Sequence, residues 1–315
     1  MFKPFVLIAE PLAAEPLAWL ENRCRVVGLG VEDPGFGEAL EQADAMVVRT
    51  YTIVDQQLLD RAPNLKVVGR AGVGLDNIDL NACAAHGVRV VHTPHANAMG
   101  VVEYMISMLI TTMRPIESMS RPLNQERWQE QWHRLRHHAI TPGSVVGTSI
   151  GIIGLGYIGS RLAAAATALG MDVRYTDLRR IDSSHAQSQS LADLLAESRC
   201  VCLHVDGRAE NQGLIGDAEF ATMRDDVIFF NASRGFVVDS DAAVRFAKAN
   251  PNATLVLDVH DPEPIDHDSP LFGLDNIILT PHIAAATHQA KTAMSWVVRD
   301  VWAVLAGQEP SHPVD

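Results

Sequence analysis

Long hydrophobic runs are missing from this chain. Its most apolar helical stretch, Val101 to Met113, is short and interrupted by Glu103, whereas a membrane-spanning helix needs about 20 apolar residues. No membrane partner is therefore expected. The N-terminus, MFKPFVLIAEPLAAE, reaches Glu10 after only a brief apolar run, too short for the core of a signal peptide. Positive charge is also short: 25 Lys and Arg stand against 38 Asp and Glu, a net charge of −13. Contact with nucleic-acid phosphates needs a basic surface, so no nucleic-acid partner is expected. Cysteine is scarce. Cys24 and Cys83 are isolated, and Cys200 and Cys202 lie on one face of the strand-like CVCLHV. That is neither a zinc nor a thioredoxin spacing; buried free thiols in a reducing, cytoplasmic compartment are the expectation.

What is present is an alternation of short apolar runs with helix-length segments. The first series of strands is FVLIA (5–9), RVVG (25–28), AMVV (45–48), LKVVG (65–69) and RVVH (89–92). The second is SIGIIG (149–154), DVRYT (172–176), CVCLHV (200–205), VIFFN (227–231), TLVLD (254–258) and IILT (277–280). Near-continuous Val, Ile and Leu strands separated by helices mean parallel sheets covered on both faces. At 315 residues the chain suits two domains. The fold class expected is thus α/β, two doubly wound parallel-sheet domains. Between the series, Val102, Met105, Ile106, Leu109, Ile110 and Met113 form the apolar stripe of a long helix. The polar, Trp-bearing RPIESMSRPLNQERWQEQWHRLRHHAITPGS follows, and an oligomer interface is expected there, a solvated arm being the alternative. His133 and His137 are one turn apart but have no third ligand at metal spacing, so no metal is expected. The final segment, HIAAATHQAKTAMSWVVRDVWAVLAG, reads as one helix stopped at Gly307.

The strongest motif is GIIGLGYIGSRLAAAATALGMDVRYTD. Gly154, Gly156 and Gly159 stand between a strand and an Ala-rich helix, and Asp177 ends the next strand. The glycines allow a tight turn, a close pyrophosphate and close helix packing, and the helix N-terminus offers free N–H groups to phosphate. Asp177 can accept the ribose hydroxyls, which favours NAD over NADP; Arg179 and Arg180 close behind it are the residues that would favour a 2′-phosphate. Ligands of doubly wound sheets bind beyond the carboxyl ends of the strands. There the second series sets Arg234 (NASRG), Glu263 (DPEP) and His282 (TPHI) after three successive strands. Hydride transfer between a secondary alcohol and a ketone calls for these three types. A histidine takes and returns the hydroxyl proton, a carboxylate fixes its tautomer, and an arginine polarises the carbonyl and grips a carboxylate. Singly, each residue also reads as a surface or capping residue.

From about Val47 to Gly307 these residues resemble the D-isomer-specific 2-hydroxyacid dehydrogenases: GRAGVGLDNID, GIIGLGYIG, NASRG, DPEP and TPHI recur in order and spacing. The resemblance implies catalytic roles for Arg234, Glu263 and His282, with His282 the acid/base. It implies an NAD site drawn from Gly154, Gly156, Tyr157, Ile158, Gly159, Asp177, His204, Val205, Ala232, Ser233, Asp258 and Ala284. It implies a discontinuous substrate domain (1–96 plus 284–315), flavodoxin-like, around a Rossmann domain (97–283), and a homodimer. The loop Ala71, Gly72, Val73 and Gly74 would bind a substrate carboxylate. Within the family, VVRTYT and VVGRAGVGLDNID look like phosphoglycerate dehydrogenases. Arg49, Arg70 and Arg114 then suit a 2-hydroxy or 2-oxo acid with a second anion, phosphate or sulfonate. Asn97 would touch substrate or cap the long helix. Departures are Asp206 where the family usually has Pro, His260 where Phe is common, and alanines after TPHI where glycine often follows; they touch the cofactor and cleft edges. The chain stops at Asp315 without room for the regulatory domain of long phosphoglycerate dehydrogenases, so amino-acid feedback is not expected. The alternatives are a hydroxypyruvate or glyoxylate reductase and, in another class, an NADH-sensing corepressor-like protein.

Overall fold

The computed structural model describes residues 3–115, 124–137 and 143–314. Part of the expected interface arm, residues 116–123 and 138–142, lies outside them. The chain opens with β1 (Phe5–Ile8), α1 (Ala14–Glu21), β2 (Arg25–Gly28), α2 (Phe36–Gln42), β3 (Ala45–Val48), α3 (Gln56–Asp60), β4 (Val67–Arg70), α4 (Leu80–Ala85) and β5 (Arg89–His92). The long α5 (Ala98–Met113) and the arm helix α6 (Gln125–His137) follow. Then come β6 (Ser149–Ile153), α7 (Tyr157–Ala168), β7 (Asp172–Thr176), β8 (Gln187–Ser188), α8 (Leu191–Glu197), β9 (Cys200–Leu203), α9 (Asp217–Thr222), β10 (Ile228–Asn231), α10 (Ser240–Ala249), β11 (Thr254–Leu257) and β12 (Ile277–Leu279). The chain closes with α11 (His288–Ser295), α12 (Val298–Leu305) and β13 (Pro313–Val314).

These elements make two units, Met1–Gly100 with Ala285–Asp315, and Val101–Ala284. The first holds a six-stranded sheet of order β13-β5-β4-β3-β1-β2, parallel except for the β13 edge. Its strands are apolar on both faces because both are covered. Leu7, Met46, Val48 and Val68 pack with α2, α3 and α4, while Val6, Ile8, Ala45 and Val47 pack with α11 and α12. The second holds a seven-stranded parallel sheet of order β12-β11-β10-β9-β6-β7-β8. Leu203, Phe229, Leu255 and Ile153 meet α8, α9 and α10 on one face, where Phe220 lies against Phe229 and Phe246. All four cysteines are free and buried, and burial pushes the Cys200 thiol up to about 12. Among the described residues no helix is long and apolar enough to cross a membrane.

The final segment differs from its sequence reading. It is not one helix: residues up to Thr287 are non-helical, and α11 and α12 are separate. Thr287 starts α11 by accepting the Ala290 N–H at 3.0 Å, a hydroxyl N-cap. At the other end the Ser295 hydroxyl donates to the Lys291 carbonyl at 2.7 Å and accepts the Ala13 N–H at 3.0 Å. The junction then runs on tight i→i+3 bonds, Val297 to Met294 and Asp300 to Val297, which break the α-helical ladder. The short edge strands β8 and β13 also escaped the sequence reading, since two residues carry no periodicity.

The α12 helix rests on β4 where the strand has no side chain. A Cβ at Gly69 would lie 2.4 Å from Val301 Cγ2. Gly69→Ala is expected to destabilise the protein by about 1–3 kcal/mol through overpacking. Val301→Ala in the same chain should recover part of that loss, and thermal melts of the single and double variants check both.

Candidate active site

In the second unit the strand order reverses between β6 and β9, and a crevice at the carboxyl ends of such a pair is where doubly wound sheets take ligands. Gly154, just past β6, has φ 93°, and a Cβ there would sit 2.6 Å from the His204 carbonyl oxygen. The turn thus needs glycine twice over, for its left-handed backbone and for the approach of the β9 loop. At Gly159 a Cβ would meet the Gly154 carbonyl oxygen at 2.2 Å, whereas at Gly156 it would meet nothing within 4 Å. The first and third glycines close the turn, and the second leaves space. There α7 begins with Gly156 as N-cap and no side-chain cap, so its first-turn amides are left for an anion. Asp177, past β7, accepts the Leu155 N–H at 2.8 Å and the Arg179 N–H at 3.1 Å. Its carboxylate therefore steadies the glycine turn and retains lone pairs for ribose hydroxyls. Tyr157 is exposed beneath the Arg161 guanidinium, and Ile158 is half-buried. Arg179 and Arg180 are exposed. The residues present fit NAD.

His204 behaves otherwise than a ligand-facing side chain. Both its ring nitrogens are buried and have no hydrogen-bond partner among the described residues, and burial pulls its pKa down to about 4. Its place at the cradle is held by its backbone. Val205 packs at the margin of the apolar core.

Three neighbouring strands, β10, β11 and β12, end side by side, with Asn231, Leu257 and Leu279 in register. After β10, the Asn231 side chain accepts from the Ser233 amide (3.0 Å) and hydroxyl (2.8 Å) and donates to the Arg234 carbonyl at 2.8 Å. This Asx-type turn fixes Ala232, Ser233 and Arg234, whose Nη1 bonds the Ser233 carbonyl at 2.7 Å. After β11, Glu263 Oε1 lies 2.6 Å from His282 Nδ1 beyond β12. The carboxylate accepts the Nδ1 proton, which leaves Nε2 as the atom that takes or gives a proton. The His282 side chain is 37% exposed, so the ring is not closed off from solvent.

His282 itself has φ 53°, a left-handed conformation that costs a non-glycine residue roughly 1–2 kcal/mol. Asp258, fully buried at 0% exposure, holds it there. Its backbone carbonyl accepts the His282 N–H at 2.8 Å. Its carboxylate accepts the Ile283 and Ala284 N–H groups at 2.8 Å each and the Thr280 hydroxyl at 2.6 Å. Since Thr280 donates its only proton to Asp258, Tyr104 of α5 must donate to Thr280 at 2.7 Å. The Nε2 of His260 bonds the Thr280 carbonyl oxygen at 2.9 Å. Sequence reasoning missed Asn231, Thr280 and Tyr104. Asn at a strand end was a turn signal that could have found the first; nothing local flags the others.

In the first unit β3 and β4 are neighbours with Val48 opposite Arg70, so Arg49 and Arg70 leave one sheet edge together. The loop after β4 is held by the Thr93 N–H on the Gly72 carbonyl and by His92 Nδ1 on the Val73 carbonyl. Ala71 and Gly72 are buried or nearly so, while Val73 and Gly74 are half-buried. Among the described residues the amides of Val73 and Gly74 donate to no backbone acceptor. Asn97 does not cap α5, since its side-chain oxygen is buried and accepts from no group among the described residues. Arg114 lies in the second unit, exposed just past α5. Among the described residues no group of three His, Cys, Asp or Glu is placed to hold a metal.

The family model for the NAD-binding domain of the D-isomer specific 2-hydroxyacid dehydrogenases matches residues 106–284. The chain belongs to that family. A D-3-phosphoglycerate dehydrogenase of Archaeoglobus fulgidus is 35% identical over 301 residues, 94% of this chain and 56% of the relative. A glyoxylate reductase of Korarchaeum cryptofilum is 31% identical over 283 residues, 88% of this chain and 84% of the relative. Among solved structures, the TT0316 protein of Thermus thermophilus has a TM-score of 0.86 at 29% identity, with 99% of this chain and 100% of its own covered. The chain spans a little over half the length of the phosphoglycerate dehydrogenases it matches.

Two outcomes follow from this family member's second unit. The His204 ring, its nitrogens buried, resists protonation when folded but takes a proton at its ordinary value of 6.5 when unfolded. The unfolded state therefore binds more protons between those values, and stability, complete above pH 6.5, should fall by about 3 kcal/mol as pH drops towards 4. Urea unfolding across that window checks it, and His204→Gln should flatten the slope. Tyr104→Phe, which removes only the first donor of the chain to Asp258, is expected to cost about 1 kcal/mol in the same urea assay at pH 7.

Proposed function

We propose that this protein is an NAD-dependent dehydrogenase of D-2-hydroxy acids, and that its substrate carries a second anionic group besides the carboxylate. The observation that carries the reading is the 2.6 Å contact of His282 with Glu263, set beside Arg234 at the carboxyl ends of three adjacent strands. Bound NAD would supply the hydride acceptor, held by the glycine turn, the first turn of α7 and Asp177. His282 Nε2 takes the hydroxyl proton during oxidation and returns it during reduction. Glu263 holds the ring in the tautomer that makes this possible and steadies the charge that develops on it. Arg234 donates to the carbonyl oxygen and to the substrate carboxylate.

The second anion is inferred from the first unit. Arg49 and Arg70 stand at its sheet edge, and the amides of Val73 and Gly74 sit in the loop beyond it; together they offer more anion-binding capacity than one carboxylate needs. The D-3-phosphoglycerate dehydrogenase named above points the same way, whereas the glyoxylate reductase keeps a singly charged 2-oxo acid as the second reading. We also infer a homodimer formed through α6, where Trp128 and Trp132 stack at 6.0 Å yet remain 42% and 44% exposed. Exposed indoles suit an interface core. Four buried, free cysteines fit a reducing, cytoplasmic compartment.

The test is NADH production across D-2-hydroxy acids, with 3-phosphoglycerate and sulfolactate beside D-lactate and D-glycerate, and the reverse reaction with glyoxylate and hydroxypyruvate. Turnover of the doubly charged acids is expected, with His282→Ala lowering kcat at least about a hundredfold while NADH binding, read by fluorescence, persists. Turnover of glyoxylate alone would favour the reductase. NADH binding with no turnover of any acid would sink the enzyme reading and favour a sensor.

A further inference from the structure

In the first unit the strand order reverses between β1 and β3, the crevice at which such sheets take ligands. Glu10, two residues past β1, spans that crevice. Its carboxylate accepts four consecutive backbone N–H groups of the β3 loop: Arg49 at 2.9 Å, Thr50 at 3.0 Å, Tyr51 at 3.1 Å and Thr52 at 3.1 Å. Two of the loop's four carbonyls are held as well. Asn77 donates its side-chain amide to the Arg49 carbonyl at 3.1 Å and to the Thr52 carbonyl at 2.6 Å. The backbone of four residues is thus pinned through both its donors and its acceptors by two side chains.

The arrangement has a consequence for charge. The ordinary partner for a carboxylate beside an arginine is the guanidinium. Here the backbone amides satisfy Glu10 instead. Burial alone would raise its pKa, but the four N–H bonds outweigh burial and hold it below the usual carboxylate range. Among the described residues Arg49 pairs with no carboxylate: its Nη1 makes a long bond, 3.3 Å, to the Pro11 carbonyl. A guanidinium whose backbone is fixed and whose fork is uncommitted is preorganised for an external anion.

We propose that Glu10 is a positioning residue for substrate recognition, fixing the loop through its amides so that Arg49 presents its fork to the second anionic group of the substrate. This deepens the reading above and rests on it. Glu10→Gln keeps the size but replaces one acceptor oxygen by a donor that faces N–H groups. It should raise KM for 3-phosphoglycerate about tenfold with kcat changed by less than about twofold, the signature of lost binding that does not change in the transition state. KM for D-glycerate, which lacks the phosphate, should hardly move. Placed in an Arg49→Ala background, Glu10→Gln should add almost nothing, because its effect runs through that arginine.

A fall in kcat for both acids alike, or a Glu10→Gln effect that adds in full to Arg49→Ala, would mark a structural role and overturn the inference. So would Arg49→Ala raising KM for 3-phosphoglycerate while Glu10→Gln does not. If Arg49→Ala itself leaves that KM unchanged, the second-anion reading fails, and the inference goes with it. Should Glu10→Gln not fold, Asn77→Ala, which releases the carbonyls of the same loop, carries the same expectations.

Discussion

A carboxylate at a strand end that gathers backbone N–H groups from the next strand's loop is the interaction on which the candidate site depends. Among the described residues it occurs three times, once in the first unit and twice in the second. Glu10 after β1 takes the loop after β3, Asp177 after β7 takes the glycine turn after β6, and Asp258 after β11 takes the loop after β12. In each case the sheet places two carboxyl ends about 4.8 Å apart, within reach of one acidic side chain. A carboxylate withdrawn from water and left unsatisfied would be unfavourable, so each acid, Asp258 fully buried and Glu10 and Asp177 half-buried, constrains its partner loop to the geometry that satisfies it. The loops are irregular but not loose.

Asp258 shows what such a constraint achieves. His282 adopts a left-handed backbone that a bare turn would abandon. Bonds to the residue's own N–H and to the two amides after it offset that strain, and Thr280 and Tyr104 extend the support to α5. The histidine is therefore aimed from behind, by backbone, while its ring is oriented from the side by Glu263. The backbone and the ring are fixed by different residues, which lets an imidazole stand at the surface without losing its direction.

This division explains what could be read from the sequence. The apolar runs match strands because a strand buried on both faces has one strong signature. The glycine turn, Arg234, Glu263 and His282 could be placed at strand ends because they follow those runs directly. The supporting bonds could not. Glu10 meets the loop from Arg49 to Thr52, and Tyr104 meets Thr280; no local pattern encodes a pairing that only the sheet order creates. The same limit applies to the final segment. Its apolar spacing suits a single helix, yet Asp258 claims the amides near its start and Ser295 spoils the ladder at its middle. Both competitors are remote or depend on a remote partner.

The charge of the chain sharpens the point about recognition. A protein of net charge −13 repels small anions at long range, so any anionic ligand must be drawn by local groups within a Debye length of about 8 Å. An arginine paired with a neighbouring acid contributes little to that local field. Asp44 pairs with Lys66 and Glu309 with Arg89 on the same unit, and those cations are spent on protein partners. At the β1/β3 crevice the acid stays ionised but spends its lone pairs on backbone amides, which costs no side-chain cation. Arg49 is left as a cation whose backbone is held by a carboxylate that its guanidinium does not pair with, an arrangement by which an acidic protein can hold an anion.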